Sequence, residues 1–132
     1  MKQKLLATAA YYLSFIALGL VIAAEGPTLP QLAQHTNSRL DQISLIFLVS
    51  SLGYLVGSFI GGRVYDRVPG HRFMTVILLV MALTTALVPL AHTLTWLVIA
   101  ILMLGLSKGA LDVGCNTLLL WVHDDKVGPF MN

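Results

Sequence analysis

Charged side chains are scarce in this chain, since Lys, Arg, Asp and Glu together make up 11% of its 132 residues. Apolar residues make up 57%. A soluble domain of this length could not cover so apolar a surface with polar groups. The composition therefore excludes an ordinary soluble protein and indicates a protein whose solvent is the lipid bilayer.

The sequence also lacks the patterns of several function classes. Its one cysteine, Cys115, lies in an apolar stretch and leaves no internal disulfide framework. The 4 histidines show no metal-ligand spacing, and neither a nucleophile–base arrangement nor a phosphate-binding glycine loop is present. Lys and Arg are scattered rather than gathered in a patch that could bind nucleic acid. We therefore expect no enzymatic activity, no metal, no cofactor and no nucleic-acid partner.

Four apolar runs account for most of the chain. A spanning helix needs about 20 mostly apolar residues, so the chain has room for about four of them with short connections. The sequence thus predicts an all-α membrane protein with four transmembrane helices. Pro27 and Pro30 would only kink the first span, because membrane helices tolerate proline. The predicted spans are about 5–30, 43–62, 73–91 and 94–121, with polar residues 34–42 as the first loop.

The basic residues predict how these spans are oriented. A lysine-containing start resembles a secretory signal, but the first run is long enough to span, so we expect it to be retained. Cytoplasmic loops carry an excess of Lys and Arg. One side of the membrane would carry Lys2, Lys4, Arg63, Arg67, Arg72 and Lys126, and the other side Arg39 alone. We therefore predict a multi-pass protein of the cell membrane, plasma or inner, with both termini in the cytoplasm.

Small residues recur every fourth position on two of the spans. Such stripes allow helix backbones to approach closely. They predict that the second and fourth spans pack against other helices and not only against lipid. The residues are Gly53, Gly57 and Gly61 on the second span, and Gly105, Gly109, Ala110 and Gly114 on the fourth.

The fourth span contains polar residues that need an explanation. Lys108, Asp112 and Asn116 follow one another at four-residue spacing and share one helix face near the bilayer middle. A charge at that depth is costly and must face a cavity, a partner or another helix. In one interpretation they line a solute pathway: Asn116 binds solute hydroxyls, Asp112 binds solute or a coupling cation, and Lys108 keeps Asp112 ionised. In the other, Lys108 and Asp112 form a buried structural ion pair.

Glu25 is the other ionisable candidate within a span. It precedes Gly26 and Pro27, where the helix could loosen, and its carboxylate could take up a proton or bind a cation. It could equally lie at the outer interface in contact with water. Its depth differs from that of Lys108 by roughly 10 Å of helix rise. Direct pairing would therefore require the Lys108 side chain to stretch.

The turn after the second span carries a glycine, an acid and several bases at defined spacing. These residues are Gly62, Asp66, Arg67, Gly70 and Arg72. The pattern resembles the signature loop of the major facilitator superfamily, except for one extra residue, Pro69. The resemblance implies a charge latch, in which these side chains pair with each other and with helix ends of a facing bundle to close the cytoplasmic side. The alternative is an ordinary basic loop with a solvated Asp.

Other short runs resemble the sodium-dependent glucose-transporter-like branch of this superfamily, at residues 26–29, 42–44 and 111–116. The arginine that proton-driven drug exporters carry in the outer half of helix four is replaced by Ile101, which speaks against a drug–proton antiporter. The resemblance implies alternating-access transport of a sugar or similar small polar solute, coupled to H+ or Na+. It also implies six-helix halves built from inverted three-helix repeats around a central solute site.

In that architecture residues 1–132 supply the first repeat and the first helix of the second. We therefore expect a fragment of a longer transporter, or a truncated product. Its expected partners are the bilayer, a small polar solute, and the remaining helices or another copy of the chain. Two alternatives stay open: a small four-helix multidrug exporter that works as a dimer, and a non-transporting membrane subunit.

Overall fold

The computed structural model describes residues 2–123, and within them the chain is almost entirely helical. Each of the four long helices is apolar enough and long enough to cross a membrane. The prediction of an all-α membrane protein with four transmembrane helices is confirmed. The helices are α1 (Lys2–His35), α2 (Leu40–Tyr65), α3 (Gly70–Leu87) and α4 (Leu94–His123), with a short 3-10 helix at Val88–Leu90 between the last two.

The first helix is longer than the predicted span. It continues through Pro27 and Pro30 as far as His35. Each proline removes one backbone donor from the helix, and a membrane helix tolerates this loss. The connection to α2 therefore comprises residues 36–39 and is shorter than the predicted loop.

Asn37 ends the first helix by a local change of backbone conformation. Its φ of 50° lies in the left-handed region, which a short polar side chain tolerates. The Ser38 N–H then donates to the Ala33 carbonyl at 2.9 Å, and the Asn37 N–H to the Gln34 carbonyl at 3.3 Å. These two bonds satisfy carbonyl groups at the helix end and turn the chain back toward α2.

The connection between α2 and α3 is a four-residue turn, 66–69, at the other end of the bundle. Pro69 precedes the first residue of α3, Gly70, where its missing N–H costs no helical hydrogen bond. We call the two ends of the bundle the 36–39 end and the 66–69 end. Lys126, which the sequence assigns to the same side as this turn, lies outside the described residues.

The fourth helix lies at the centre of the bundle and contacts each of the other three, most extensively α2. Its buried face includes Leu97, Ile101, Leu104, Leu111 and Leu118, all at most 3% exposed. The other helices turn large apolar side chains away from it, including Leu6, Leu13, Leu20, Leu55, Phe59, Leu79 and Leu83. A membrane protein can present such side chains to lipid or to further helices.

The glycine stripes form the contact between α2 and α4. A Cβ atom added to Gly53 would lie 2.7 Å from the Leu102 carbonyl oxygen, and one added to Gly61 would lie 2.9 Å from the Ala110 Cα. These distances leave no room for a side chain, so only glycine allows the two backbones to approach so closely. The predicted role of the stripes in helix packing is confirmed.

Candidate functional site

Lys108 pairs with Glu25 across the interface of α4 and α1. The Lys108 Nζ atom and the Glu25 Oε1 atom form an ion pair, and the two side chains are 4% and 13% exposed. The long lysine side chain thus bridges the difference in depth that the sequence predicts between Lys108 and Glu25. An isolated charge at this depth would be costly, and pairing offsets part of that cost.

Ser50 on α2 completes this cluster. Lys108 Nζ donates a hydrogen bond to Ser50 Oγ at 2.7 Å. The serine hydroxyl in turn lies 3.2 Å from Oε1 and 3.4 Å from Oε2 of Glu25 and donates to the carboxylate. We call Glu25, Ser50 and Lys108 the ion-pair triad. It joins three helices through one closed network of polar contacts.

Small neighbouring residues make this burial feasible. Lys108 lies between Ser107 and Gly109, which are buried with it in the face of α4 that contacts the other helices. One turn earlier, a Cβ atom on Gly105 would lie 2.5 Å from the Ser50 carbonyl oxygen. The glycines therefore bring α2 close enough to α4 for the short serine side chain to reach the ammonium group.

Asp112 is not the partner of Lys108, so the predicted pairing of these two residues is wrong. The Tyr54 hydroxyl on α2 donates to Asp112 Oδ2 at 2.5 Å. The Lys108 ammonium group contacts Glu25 instead, because the side chain extends toward α1. The place of Asp112 in a solute or ion pathway stays a prediction.

Asn116 lies one further turn along the same helix and is half-buried. Its Nδ2 atom donates to the backbone carbonyl of Asp112 at 3.0 Å. This is a local bond within α4. The role of Asn116 in binding solute hydroxyls therefore stays a prediction.

Two residues of the site, Ser50 and Tyr54, were not identified from the sequence. With Ser58 they follow at four-residue spacing on α2, and the Ser58 hydroxyl donates to the Gly109 carbonyl at 3.3 Å. The same spacing rule that selects the polar face of α4 would select them. To use this rule, one would first have to align α2 with α4 through their glycine stripes.

A cavity of about 330 Å³ lies beside the triad, toward the 36–39 end. Residues of all four long helices and of the 3-10 helix line it, most of them apolar. Of the four predicted pathway residues, Glu25 contributes to its wall. Further polar groups come from Thr28, Gln31, His35 and Thr85.

The five residues of the predicted gate motif surround the turn between α2 and α3. Gly70 is buried and Gly62 half-buried, whereas Asp66, Arg67 and Arg72 are exposed. In the part of the chain that the structure describes, no ion pair joins Asp66 to either arginine. A latch therefore needs partners beyond the described residues and stays a prediction.

Histidines at this end of the bundle make helix-to-helix hydrogen bonds. The Tyr11 hydroxyl lies 2.7 Å from His71 Nε2, and the Thr8 hydroxyl lies 2.7 Å from His123 Nε2. These contacts tie α1 to the start of α3 and to the end of α4. Among residues 2–123, no group of three or more His, Cys, Asp or Glu side chains could hold a metal ion.

The sequence of this chain is similar to those of known membrane proteins. The family model of the Major Facilitator Superfamily matches residues 7–126. The chain is 38% identical over 118 residues to sodium-dependent glucose transporter 1 of Homo sapiens, covering 89% of this chain and 23% of that protein. It is 33% identical over 120 residues to sodium-dependent glucose transporter 1A of Mus musculus, covering 91% and 28%.

A third relative is major facilitator superfamily domain-containing protein 4A of Mus musculus, 34% identical over 133 residues that cover 99% of this chain and 26% of that protein. The chain thus spans about a quarter of the length of the curated relatives it matches. No solved structure matches the chain.

Proposed function

This chain belongs to the major facilitator superfamily, and we propose that it forms the first four helices of a transporter that moves a small polar solute by alternating access. The resemblance recognised in the sequence is confirmed for the superfamily, and the similarity to sodium-dependent glucose transporter 1 supports its glucose-transporter-like branch. Two relatives are named sodium-dependent glucose transporters. Their names support a sugar or similar solute, and coupling to an ion gradient, for this protein.

The observation that carries the proposal is the buried ion-pair triad beside a cavity. Ionisable residues within membrane helices mark substrate or ion pathways, because packing alone would be served by apolar side chains. The cavity volume of about 330 Å³ falls within the roughly 300–1,000 Å³ of small-molecule sites. Thr28, Gln31 and Thr85 on its wall offer hydrogen bonds to a polar solute, and Glu25 connects the cavity to the triad.

The orientation of the transporter is part of the same proposal. The protein lies in a cell membrane with the 66–69 end on the cytoplasmic side, since basic residues concentrate at that end. Asp66, Arg67 and Arg72 then close the cytoplasmic side by pairing with helices beyond the described residues. Asp112 and Asn116, on the α4 surface nearer that end, contribute to the solute or ion pathway in the assembled protein.

The test is uptake of radiolabelled sugars by proteoliposomes that contain the complete gene product carrying these 132 residues. Uptake is measured under inward gradients of Na+ or H+, for a panel of hexoses, pentoses and polyols. Glu25→Gln should lower uptake at least about tenfold, which corresponds to about 1.4 kcal/mol. The matched control is Asp41→Asn, because the Asp41 carboxylate is 65% exposed and lies outside the site.

Two results would count against the proposal. Equal uptake by the two variants at equal reconstitution would remove Glu25 from the pathway. No uptake of any sugar in the panel by the unaltered protein would refute sugar transport and would favour a non-transporting membrane subunit.

A further inference from the structure

We propose that Glu25 and Ser50 form a seat for a monovalent cation that the chain's own Lys108 ammonium group occupies, so that the protein binds no sodium ion at Glu25. This inference deepens the proposed function of the same site. It rests on that function only for its meaning in transport, because occupancy of the seat can be measured on the purified, folded protein without a transport assay.

The chemistry of the seat is that of a hard-cation site. The carboxylate of Glu25 on α1 and the hydroxyl of Ser50 on α2 converge on one point, where the Lys108 Nζ atom lies 2.7 Å from Ser50 Oγ. Hard cations select carboxylate, hydroxyl and carbonyl oxygens, and membrane transporters bind sodium on such oxygens near the midplane. An ammonium group carries the same single charge as a sodium ion, and it donates hydrogen bonds to the same oxygen atoms that would bind sodium. The seat holds one or the other.

Charge balance favours the tethered cation. The Glu25 carboxylate and the Lys108 ammonium group are neutral as a pair, and the lysine side chain is only 4% exposed. A sodium ion entering the seat would displace Lys108 and leave a second positive charge buried without a partner, which is costly inside the membrane. The side chain is also covalently attached, so its effective concentration at the seat is on the order of millimolar or more without any cation in solution.

The one carboxylate of α4 within the described residues does not form an ion pair with Lys108. This carboxylate, Asp112, lies one turn further along and accepts a hydrogen bond from the Tyr54 hydroxyl at 2.5 Å. Lys108 in turn donates both to Glu25 and to Ser50. The structure therefore gives the ammonium group one anionic partner and holds it in the seat.

The test compares sodium binding by the unaltered protein and by variants without the tethered cation. The complete gene product is purified in detergent and transferred to equal concentrations of sodium chloride or choline chloride. The readouts are binding of radioactive sodium and the midpoint of thermal unfolding. The unaltered protein should give the same midpoint in both salts and no sodium binding that depends on Glu25.

Removing the tethered cation should expose the seat. Lys108→Met and Lys108→Gln should each gain saturable sodium binding and unfold at a higher temperature in sodium chloride than in choline chloride. Lys108→Arg keeps a tethered cation and should gain neither property. Adding Glu25→Gln to either neutral variant removes the carboxylate and should abolish the gain.

Each result decides the question. Sodium binding by the unaltered protein that Glu25→Gln abolishes would overturn the proposal, as would neutral variants that respond equally to both salts. If a neutral variant folds poorly, its yield becomes the readout: recovery in sodium chloride but not in choline chloride supports the seat, and equally low yield in both contradicts it. Sugar uptake is scored separately, so its absence would refute the proposed function and leave the result on the seat unchanged.

Discussion

Glu25 and Lys108 are two ionisable side chains within membrane-spanning helices, 13% and 4% exposed, and each is tolerated because the other is present. Breaking a buried ion pair by removing one partner costs about 3–5 kcal/mol, whereas replacing both partners by neutral residues is often close to neutral. The structure identifies which carboxylate matters. It is Glu25 on α1, which contacts Lys108 directly, and not Asp112 on α4.

At this scale we predict a specific pattern of rescue. In choline chloride, Lys108→Met alone should lower the midpoint of thermal unfolding and the yield of folded protein, because it leaves the Glu25 carboxylate buried without a cation. Glu25→Gln combined with Lys108→Met should restore most of both. Lys108→Met combined with Asp112→Asn is the control and should restore neither. Rescue by the Asp112 change in place of the Glu25 change would show that the pairing in the structure is incorrect.

Along the glycine stripes the helices α2 and α4 contact each other through their backbones, and near the 66–69 end the buried Tyr65 of α2 packs against Gly114 of α4. Gly57 lies against the backbone of Leu106, and Gly109 lies against the backbone of Tyr54. In lipid such contacts depend on dispersion between closely approaching helices, since apolar side chains gain no hydrophobic free energy from leaving lipid. The stripes therefore also set the distance from Ser50 to Lys108.

For these elements we predict a difference between glycines of the same chain. Gly57→Ala should destabilise the protein by about 1–3 kcal/mol or more, because the added methyl group meets backbone that cannot move aside without separating the helices. Gly19→Ala on α1 is the matched control, since a Cβ atom there meets nothing within 4 Å. The midpoint of thermal unfolding in detergent is measured for both variants and for the unaltered protein. Equal midpoints for the two variants would contradict the packing of α2 on α4.

The arrangement of the whole molecule in the membrane depends on loop charge. The turn 66–69 with its neighbouring arginines lies at one end of the bundle, and Arg39 lies at the other. Arginine and lysine near span ends set orientation because they are retained on the cytoplasmic side. A protein with this bias should insert in one direction, whereas a dimeric exporter that inserts both ways needs weak bias.

Accessibility of single cysteines tests this orientation. In a Cys115→Ala background, Arg39→Cys should react with an impermeant thiol reagent added to intact cells. Val68→Cys should react only after the membrane is permeabilised. The background protein without cysteine serves as the control for labelling. Reaction of both sites from outside, or mixed labelling at each, would favour the dual-topology exporter.

The sequence by itself determined the number and approximate extent of the helices, the solvent they require and the close packing of α2 and α4 against other helices; that they pack on each other is seen in the structure. These features depend on local properties: the length of apolar runs against bilayer thickness, and the recurrence of glycine every fourth residue. The extension of α1 to His35 was missed, because the positive φ of Asn37 rather than the first polar residue ends the helix. The superfamily resemblance likewise rested on short local motifs.

Only the tertiary structure decided the partners of the charged side chains. Spacing along α4 places Lys108 next to Asp112, but a helix face does not specify which way a long, flexible side chain extends. That choice depends on how α1 and α4 are rotated and shifted against each other, which no local pattern encodes. The close approach of α2 brought Ser50 to Lys108 and Tyr54 to Asp112. The position of α1 placed Glu25 within reach of Lys108, and their pairing offsets part of the cost of holding two charges within the membrane.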